Sequence, residues 1–372
     1  MTKLDELIQE LCPDGVEYKE LQEILTIKNG SDYKHLSKGD IPVYGSGGIM
    51  TYVETFSYDK PSVLIPRKGS IDKLYYVEAP FWNVDTIFYT DIDSTQIKPK
   101  YLFYCLQREH LEQYNTAGGV PSLTQAVLNK VQIPVPPLPV QSEIVRILDN
   151  FTELVAELVA ELAARKKHYE YYTEQLMNFG DNVKVLTLGE IGSVKMCKRI
   201  LKSQTNTEGG IPFYKIGTFG KEPDAFISEE VFEEYKEKYS YPKKGDILIS
   251  CSGTIGRTVV FDGEPAYFQD SNIVWLEHDG TLVTNKYLQY CYKKQPWQIS
   301  TGGTIARLYN DNILKAQIPV PPIEEQERIV GILDRFDALC NDLTSGLPAE
   351  IEARTKQYEY YRDKLLTFES AK

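Results

Sequence analysis

The stretch Ile133-Pro-Val-Pro-Pro137, followed by Gln141, Ile147-Leu-Asp149 and Phe151, occurs twice in this chain. The second copy is Ile318-Pro-Val-Pro-Pro322, Gln326, Ile332-Leu-Asp334 and Phe336. The offset between the copies is constant (318 − 133 = 185; 336 − 151 = 185). Half the chain separates them, so the pattern indicates a duplicated pair of domains and not an array of short repeats.

Each half of the chain is predicted to be a β-rich domain followed by a long helix. Short β-branched or aromatic runs bounded by Gly, Pro and Asp indicate strands. They lie at 41–44, 62–65 and 86–89 in the first half, and at 211–214, 246–250 and 272–275 in the second. Pro136-Pro137 and Pro321-Pro322 end a strand because proline has no backbone N–H for the ladder. Apolar residues then recur at three- and four-residue steps, which is typical of a helix.

The sequence therefore predicts an α+β fold with two β-rich domains in tandem. The first domain spans 1–135 and includes a short helix at 4–11, and a helical spacer spans 136–180. The second domain spans 181–320, and a distal helical region spans 321–372. Each long helix has one apolar stripe and needs a partner helix, which the duplicate supplies.

Composition describes an ordinary globular protein of 372 residues with a net charge of −12. No apolar run is long enough for a membrane span, and the charged N-terminal residues exclude a signal peptide. Six scattered cysteines without a C-x-x-C pair indicate a reducing, cytoplasmic compartment. The net charge argues against a simple nucleic-acid binder, but the acids concentrate in the predicted helices while the loops carry basic clusters.

Motifs of catalysis are missing from the sequence. There is no G-x-x-x-x-G-K-[ST] phosphate loop and no H-E-x-x-H, and the four histidines are isolated. Val135 and Val320 stand where an amino-group methylase motif needs an acid or an amide before its prolines. We expect neither a catalytic site nor a metal site in this chain.

Loops of both β-rich domains combine glycine with Lys and Arg. Glycine lets a backbone approach a phosphate, Lys and Arg neutralise it, and Arg also reads base edges. The alternative interpretation is an ordinary polar surface. The candidate DNA-contacting residues are Tyr44, Ser46, Gly47, Gly48, Arg67, Lys68 and Ser70 in the first domain, and Lys198, Arg199, Lys202, Lys215, Ser252, Thr254, Arg257 and Arg307 in the second.

Over essentially its whole length the chain resembles the specificity subunit of type I restriction–modification systems. The doubled I-P-V-P-P…Q…I-L-D-x-F element carries the resemblance, together with Leu11-Cys-Pro-Asp-Gly-Val-Glu-Tyr18 and Ile41-Pro-Val-Tyr-Gly-Ser-Gly-Gly48. The tandem Glu-Leu-Val-Ala tetrapeptides from Glu153 are similar to that family's spacer repeats. Ser345-Gly-Leu-Pro348 and Tyr358-Glu-Tyr-Tyr361 resemble its distal helix.

The resemblance implies two target-recognition domains in a pseudo-two-fold arrangement, joined by two long antiparallel helices. Each domain would read one half of a split, asymmetric site in double-stranded DNA, and the helices would set the gap. Because Trp82-Asn-Val-Asp85 is matched by Phe268-Gln-Asp-Ser271, we expect the two half-sites to differ.

The resemblance also implies partners. Two methyltransferase subunits would dock on the helices and bring S-adenosylmethionine, and restriction subunits would bring ATP-driven steps, so this chain itself needs no cofactor. The candidate docking residues are Phe151, Leu154, Leu158, Tyr169, Tyr172, Phe336, Leu339, Tyr358 and Tyr361.

Two other functions compete with this interpretation. The acidic balance favours a protein–protein scaffold with two β-rich modules on a coiled-coil stalk and no DNA. A stand-alone nuclease or methyltransferase is disfavoured because its motifs are missing.

Overall fold

The computed structural model describes residues 2–115, 118–299 and 306–371. The chain divides into two compact units. Unit 1 consists of Met1–Leu162 and Leu347–Lys372, and unit 2 consists of Ala163–Gly346. The helical regions predicted at 136–180 and 321–372 are thus each divided between the units.

Helices are found at all three predicted places, 4–11, 136–180 and 321–372, and several shorter helices lie elsewhere. They are α1 (Lys3–Leu11), α2 (Leu21–Ile24), α3 (Pro99–Arg108), α4 (Gln125–Leu128), α5 (Leu138–Leu176), α6 (Leu188–Ile191), α7 (Glu229–Lys238), α8 (Asn285–Lys293), α9 (Asn310–Leu314), α10 (Ile323–Asn341) and α11 (Leu347–Leu365). Single 3-10 turns lie at Leu111–Tyr114, Gly180–Asn182 and Lys202–Gln204.

A strand is found at each of the six predicted places. Those of unit 1 are β1 (Tyr18–Glu20), β2 (Leu25–Asn29), β3 (Lys38–Gly45), β4 (Gly48–Val53), β5 (Ser62–Pro66), β6 (Tyr75–Val77), β7 (Trp82–Asn83), β8 (Ile87–Ile92) and β9 (Gln132–Pro134). Those of unit 2 are β10 (Val185–Thr187), β11 (Ser193–Lys195), β12 (Thr205–Asn206), β13 (Ile211–Tyr214), β14 (Phe226–Ile227), β15 (Ile247–Ser250), β16 (Thr258–Val260), β17 (Tyr267–Phe268), β18 (Ile273–Glu277) and β19 (Gln317–Pro319).

Sheet topology repeats between the units. A four-stranded antiparallel sheet runs β2-β8-β5-β6 in unit 1 and β11-β18-β15-β16 in unit 2. A second sheet contains one parallel pair, β3–β7 in unit 1 and β13–β17 in unit 2. A short antiparallel pair closes each β-rich part, β1–β9 and β10–β19. The two units therefore share one framework, as the duplicated sequence predicts.

The repeated glutamine joins each long helix to its own β-rich part. Gln141 is fully buried, its Oε1 accepts from Lys98 N at 2.8 Å, and its Nε2 donates to Gln96 O and Pro136 O. Gln326 makes the equivalent three bonds in unit 2. A buried amide is stable only when its donors and acceptors are satisfied, so this residue holds the start of the helix in one position.

The repeated aspartate adds a second attachment eight residues, or about two helical turns, later. Tyr104 donates to Asp149 at 2.5 Å in unit 1, and Tyr290 donates to Asp334 at 2.6 Å in unit 2. A lysine completes each cluster: Lys100 lies 2.9 Å from Asp149. Most of the repeated sequence thus serves the framework of each unit.

The end of the chain completes the core of unit 1. Leu366 is fully buried there, and Val16 N donates to Glu369 O at 2.9 Å. In unit 2 the buried Met177 takes the corresponding place, 189 positions earlier (366 − 177 = 189). The N-terminal helix α1 joins the same core through Leu4.

A break separates α10 from α11, as Ser345-Gly-Leu-Pro348 predicts. Asp342 accepts hydrogen bonds from Thr344 N and from Ser345 Oγ, and these bonds hold the pKa of its carboxyl well below the usual range. A Cβ on Gly346 would lie 2.5 Å from Ala338 O, so only glycine fits at this turn.

Candidate nucleic-acid interface

In unit 1, two of the predicted loops lie side by side. Ser46, Gly47 and Gly48 form the turn between β3 and β4, and Gly48 has a φ of +111°, which glycine adopts without strain. Tyr75 donates its hydroxyl to Ser46 O at 3.3 Å. A Cβ built on Gly69 would lie 3.8 Å from Ser46 Oγ, so the 67–70 loop adjoins this turn.

The loop from Arg67 to Ser70 follows β5 and is fixed by backbone bonds. Arg67 N donates to Thr86 O at 2.8 Å, and Gly69 N donates to Pro121 O at 3.0 Å. The Arg67 guanidinium lies 5.7 Å from the centre of the Phe88 ring, and Lys68 is exposed. Within the described residues no carboxylate pairs with Arg67 or Lys68, so both charges are available to a phosphate or a base.

Strand β4 adds an exposed apolar surface that the sequence analysis missed. Ile49, Met50 and Tyr52 retain 50, 56 and 48% of their surface. The register against β3 shifts between Val43 and Tyr44, which places Met50 in a bulge. An Ile-Met pair directly after a Gly-Gly turn was the signal available in the sequence. Tyr44, on β3, is half-buried beside Tyr75.

In unit 2, three predicted cations line one groove of about 590 Å³: Arg199, Lys202 and Lys215. Hydroxyl and amide side chains, including Asn206 and Gln269, line the same groove. Two of the cations are paired with acids. Arg199 Nε lies 3.0 Å from Asp270 Oδ2, and Lys215 Nζ lies 2.8 Å from Asp224 Oδ1.

Other predicted residues of unit 2 lie at the edge of this groove or outside it. Ser252 donates to Asn272 Oδ1 at 2.9 Å, and Arg307 Nη2 donates to Ser271 O at 2.7 Å, so both support the 269–272 turn. Arg257 Nη1 is bonded to Phe219 O at 3.0 Å.

Two further candidates of unit 2 do not line this groove. Lys198 lies 5.0 Å from the centre of the Tyr239 ring, away from the groove lining, and Thr254 is an exposed residue of the loop after β15. The structure therefore brings together only part of the predicted set.

The predicted correspondence between Trp82-Asn-Val-Asp85 and Phe268-Gln-Asp-Ser271 is wrong by one residue. Trp82 pairs with Val43 in β3–β7, and its equivalent in β13–β17 is Tyr267, paired with Phe213. The segment from Tyr267 to the next strand in unit 2 is one residue longer than the segment from Trp82 to the next strand in unit 1. An alignment by sequence spacing therefore assigns the wrong equivalent residue. Gln269 consequently takes the place of Val84, and each donates its N–H to the tyrosine carbonyl of the neighbouring strand.

The predicted docking residues on the helices are mostly aromatic pairs inside their own unit. Phe151 stacks on Tyr361 at 5.3 Å in unit 1, and Phe336 stacks on Tyr172 at 5.7 Å in unit 2. The hydroxyl of Tyr358 donates to Gln107 at 2.9 Å.

The remaining docking candidates differ in exposure. The Tyr169 hydroxyl contacts Lys293 in unit 2 at 3.2 Å. Leu158 is half-buried, whereas Leu154 and Leu339 are each 37% exposed and Tyr172 is 45% exposed. Leu154, Leu339 and Tyr172 thus offer apolar surface on the helices of the two units.

Metal-ligand clusters and thiols were candidates for chemistry in the described part of the chain. No three His, Cys, Asp or Glu side chains in it lie close enough together to hold a metal ion. All six cysteines are buried and unpaired, and burial raises the pKa of Cys105 and of Cys291 to about 12. Among its described helices none is long and apolar enough to cross a membrane.

A comparison with protein families matches the chain twice. The family model described as the type I restriction modification DNA specificity domain matches residues 13–164 and 180–353. A putative type I restriction enzyme specificity subunit of Haemophilus influenzae is 49% identical over 369 residues, which are 95% of this chain and 96% of the relative. The EcoR124I/EcoR124II specificity subunit of Escherichia coli is 36% identical, over 75% of this chain and 73% of its own length.

Solved structures share the fold. The S subunit of a type I restriction–modification system from M. genitalium gives a TM-score of 0.59 at 16% identity, covering 95% of this chain and 96% of that one. A chain from a study of complex assembly and conformational transition in the type I R-M system gives 0.60 at 18% identity, covering 96% and 98%.

Proposed function

The chain belongs to the type I restriction–modification DNA specificity family, and we propose that each of its two units reads one half of a split, asymmetric DNA site. One observation carries this proposal: a polar, glycine-bearing loop follows the equivalent strand in both units. Arg67-Lys-Gly-Ser70 follows β5, and Cys251-Ser-Gly-Thr254 follows β15. Two such loops on one repeated framework provide two reading surfaces.

The differences between the loops support an asymmetric site. The first position of the loop is Arg67 in unit 1 and Cys251 in unit 2. Cys251 is fully buried, which raises the pKa of its thiol to about 11 and keeps it out of contact with DNA. Because base contacts specify sequence whereas phosphate contacts position the protein, unlike side chains on like frameworks read unlike half-sites.

The helices complete the proposal. Helix α5 runs from unit 1 into unit 2, so its length sets the gap between the half-sites. Two methyltransferase subunits dock on the exposed apolar residues of the helices, among them Leu154 and Leu339, and restriction subunits join the complex. S-adenosylmethionine and ATP bind to those partners, this chain is not catalytic, and the complex works on DNA in the cytoplasm.

A scaffold that binds no DNA is the competing function. The specificity role of the relatives argues against it, and so do Arg67 and Lys68, whose cations have no carboxylate partner among the described residues. The acidic balance that favoured it lies largely on helices, for example Glu153 and Glu157.

The test is to co-express the chain with its neighbouring methyltransferase subunit and to map methylated bases across the host genome. We expect methylation at a single split motif whose two halves differ. The same methyltransferase beside another specificity chain serves as the control for its competence. Absence of any motif with a competent methyltransferase would reject the DNA-reading function in favour of the scaffold.

A further inference from the structure

Asp270 and Arg199 form a pair on the wall of the unit 2 groove that differs from the other ion pairs of the domain. Asp270 is 18% exposed, whereas Arg199 is 68% exposed. Only Nε of Arg199 contacts the carboxylate, at 3.0 Å. No acceptor among the described residues bonds its two terminal nitrogens, Nη1 and Nη2.

The backbone that carries Asp270 is held in place by its turn. Asn272 N donates to Asp270 O, Ile273 N donates to Gln269 O at 3.0 Å, and Arg307 Nη2 bonds Ser271 O at 2.7 Å. Ser271 has a φ of +53°, an unusual conformation that these bonds maintain. A carboxylate that stands on a fixed turn, is 18% exposed and bonds one nitrogen restrains the guanidinium, which lowers the entropy lost when the guanidinium binds a partner.

The other two candidate arginines of unit 2 are not available in this way. Arg257 donates from Nη1 to Phe219 O, and Arg307 donates from Nη2 to Ser271 O. Each therefore uses a terminal nitrogen to support the domain. Among these three arginines, only Arg199 lines the groove with both terminal nitrogens unbonded to any described residue.

From this geometry we propose that Arg199 reads a guanine in the half-site bound by unit 2, with Asp270 as its positioning residue. The inference rests on the proposed function and deepens it. The planar fork of arginine matches O6 and N7 of guanine with two parallel hydrogen bonds, the commonest specific contact in the major groove. The amide of Asn206 on the same groove wall is suited to a neighbouring base edge.

Charge argues against a phosphate as the partner of Arg199. A carboxylate at 3.0 Å offsets the guanidinium charge and repels a phosphate that approaches the same place. A hydrogen bond to a base edge does not need the net charge. Lys202 lines the same groove and has no carboxylate partner among the described residues. We therefore expect it to contact a phosphate, and it serves as the control against which Arg199 is compared.

The experiment uses the full chain in complex with its methyltransferase subunit and duplex DNA carrying the mapped motif. Every base pair of both half-sites is replaced in turn, and binding is measured at several salt concentrations. For Arg199→Ala we expect discrimination at one G·C pair, in one half-site only, to fall roughly ten- to hundredfold. The salt slope stays within about half a unit of the wild type, because few counterions are released by a neutralised pair.

Two variants separate charge from geometry. Arg199→Lys keeps the charge but lacks the fork, so it loses the same discrimination. Lys202→Ala keeps the base preference and lowers the salt slope by about one unit. Uniform weakening on all sequences by Arg199→Ala, with a reduced salt slope, would assign Arg199 to a phosphate and overturn the proposal. An unchanged motif and affinity would overturn it as well.

Asp270 is tested by whether it acts through Arg199. We expect Asp270→Ala to relax the same G·C pair, Asp270→Glu to restore part of the preference, and the double variant to be no worse than Arg199→Ala. Additive losses, or a loss at a different pair, would remove Asp270 from the positioning role. A wild-type complex without any split motif would instead reject the proposed function itself, so the two failures are distinguishable.

Discussion

Unit 1 and unit 2 are alike where the long helix meets the β-rich part. Gln141 and Gln326 make the same three hydrogen bonds, and Asp149 and Asp334 each accept from a tyrosine. The units differ where the loops gather cations. In unit 1 Arg67 has no acidic partner among the described residues, whereas in unit 2 Arg199 and Lys215 are both paired with acids.

The difference shows which part of each unit is free to change. The framework contacts are buried and mutually dependent, so a change there costs stability. The loops are exposed, so their side chains vary at little cost to the fold. One framework can therefore present two different surfaces to DNA.

The largest effect is expected from the helix that links the units. Deleting Glu157-Leu-Val-Ala160 from α5 removes about 6 Å of helix, at 1.5 Å per residue, against about 3.4 Å per base pair. The recognised gap should shorten by one or two base pairs with both half-sites unchanged. Because the original site could no longer engage both units, its methylation should fall on the order of a hundredfold.

Methylome mapping checks this deletion, and replacement of the same four residues by alanine is the control. The alanine variant keeps the helix length and should keep the gap. Altered half-sites with an unaltered gap would contradict the role of α5 as the spacer.

The next effect concerns the shared framework. Gln141→Ala and Gln326→Ala each leave one buried N–H and two carbonyls without partners, so each should destabilise its unit by about 3 kcal/mol. Hydrogen exchange measured by mass spectrometry reports the two units separately. The exposed Gln113 provides the control, with an expected change below about 0.5 kcal/mol for Gln113→Ala. A clearly unequal loss in the two units would show that the framework is not equivalent.

A smaller and asymmetric effect is expected in acid. Glu143 of unit 1 is 4% exposed, and its hydrogen bonds to Arg146 and Lys3 lower the pKa of its carboxyl to about 2. Because the pKa of Glu143 is lower in the folded state, its carboxylate stabilises unit 1 at every pH above about 4.3, the usual pKa of a glutamate. This stability is lost as the pH falls toward 2. Glu143→Gln should therefore cost unit 1 about 2 kcal/mol at pH 7 and little near pH 2.

Unit 2 provides the comparison for this acid effect. The position of Glu143 is taken there by Arg328 (328 − 143 = 185), which pairs with the 36% exposed Glu325. Glu325→Gln should change unit 2 by less than about 1 kcal/mol. Unfolding followed by hydrogen exchange from pH 7 to 3 measures both variants. A Glu143→Gln loss that stays constant over this range would contradict the assigned cause.

The smallest effect is expected from Arg67, a cation of the 67–70 loop in unit 1. Arg67→Ala should weaken binding evenly on all sequences by about tenfold at 0.1 M salt and reduce the salt slope by about one unit, because no described carboxylate offsets its charge. Lys73→Ala, in the same unit but outside the 67–70 loop, is the control. A loss confined to one base pair would assign Arg67 to a base edge instead.

Local patterns in the sequence predicted much of the framework. The proline pairs, the β-branched runs and the helical stripe each identify an element by neighbouring residues, and the 185-residue offset identifies the duplication. The sequence did not reveal what Gln141 and Gln326 do, because two of the three partners of each are backbone atoms 42 to 45 positions away.

The loops were predicted less completely, for physical reasons. Asp270 lies 71 positions from Arg199, so no local pattern connects the acid with the cation that it holds. The equivalence of Trp82 and Tyr267 follows from strand pairing, and sequence spacing alone predicted it wrongly by one residue. Arg257 and Arg307 carried the same loop signal as Arg199, yet their contacts are to backbone carbonyls of their own domain.

The central claim is that each unit reads its half-site independently on an equivalent framework. The most direct test replaces residues 192–316 of unit 2 by residues 25–131 of unit 1 and maps methylation beside the same methyltransferase. These boundaries are equivalent, since Leu21 N donates to Val131 O and Leu188 N donates to Ala316 O. We predict that the half-site of unit 1 appears at both ends of the motif with the gap unchanged. A stable chimera that still methylates the original asymmetric motif, or that changes both half-sites, would contradict the account.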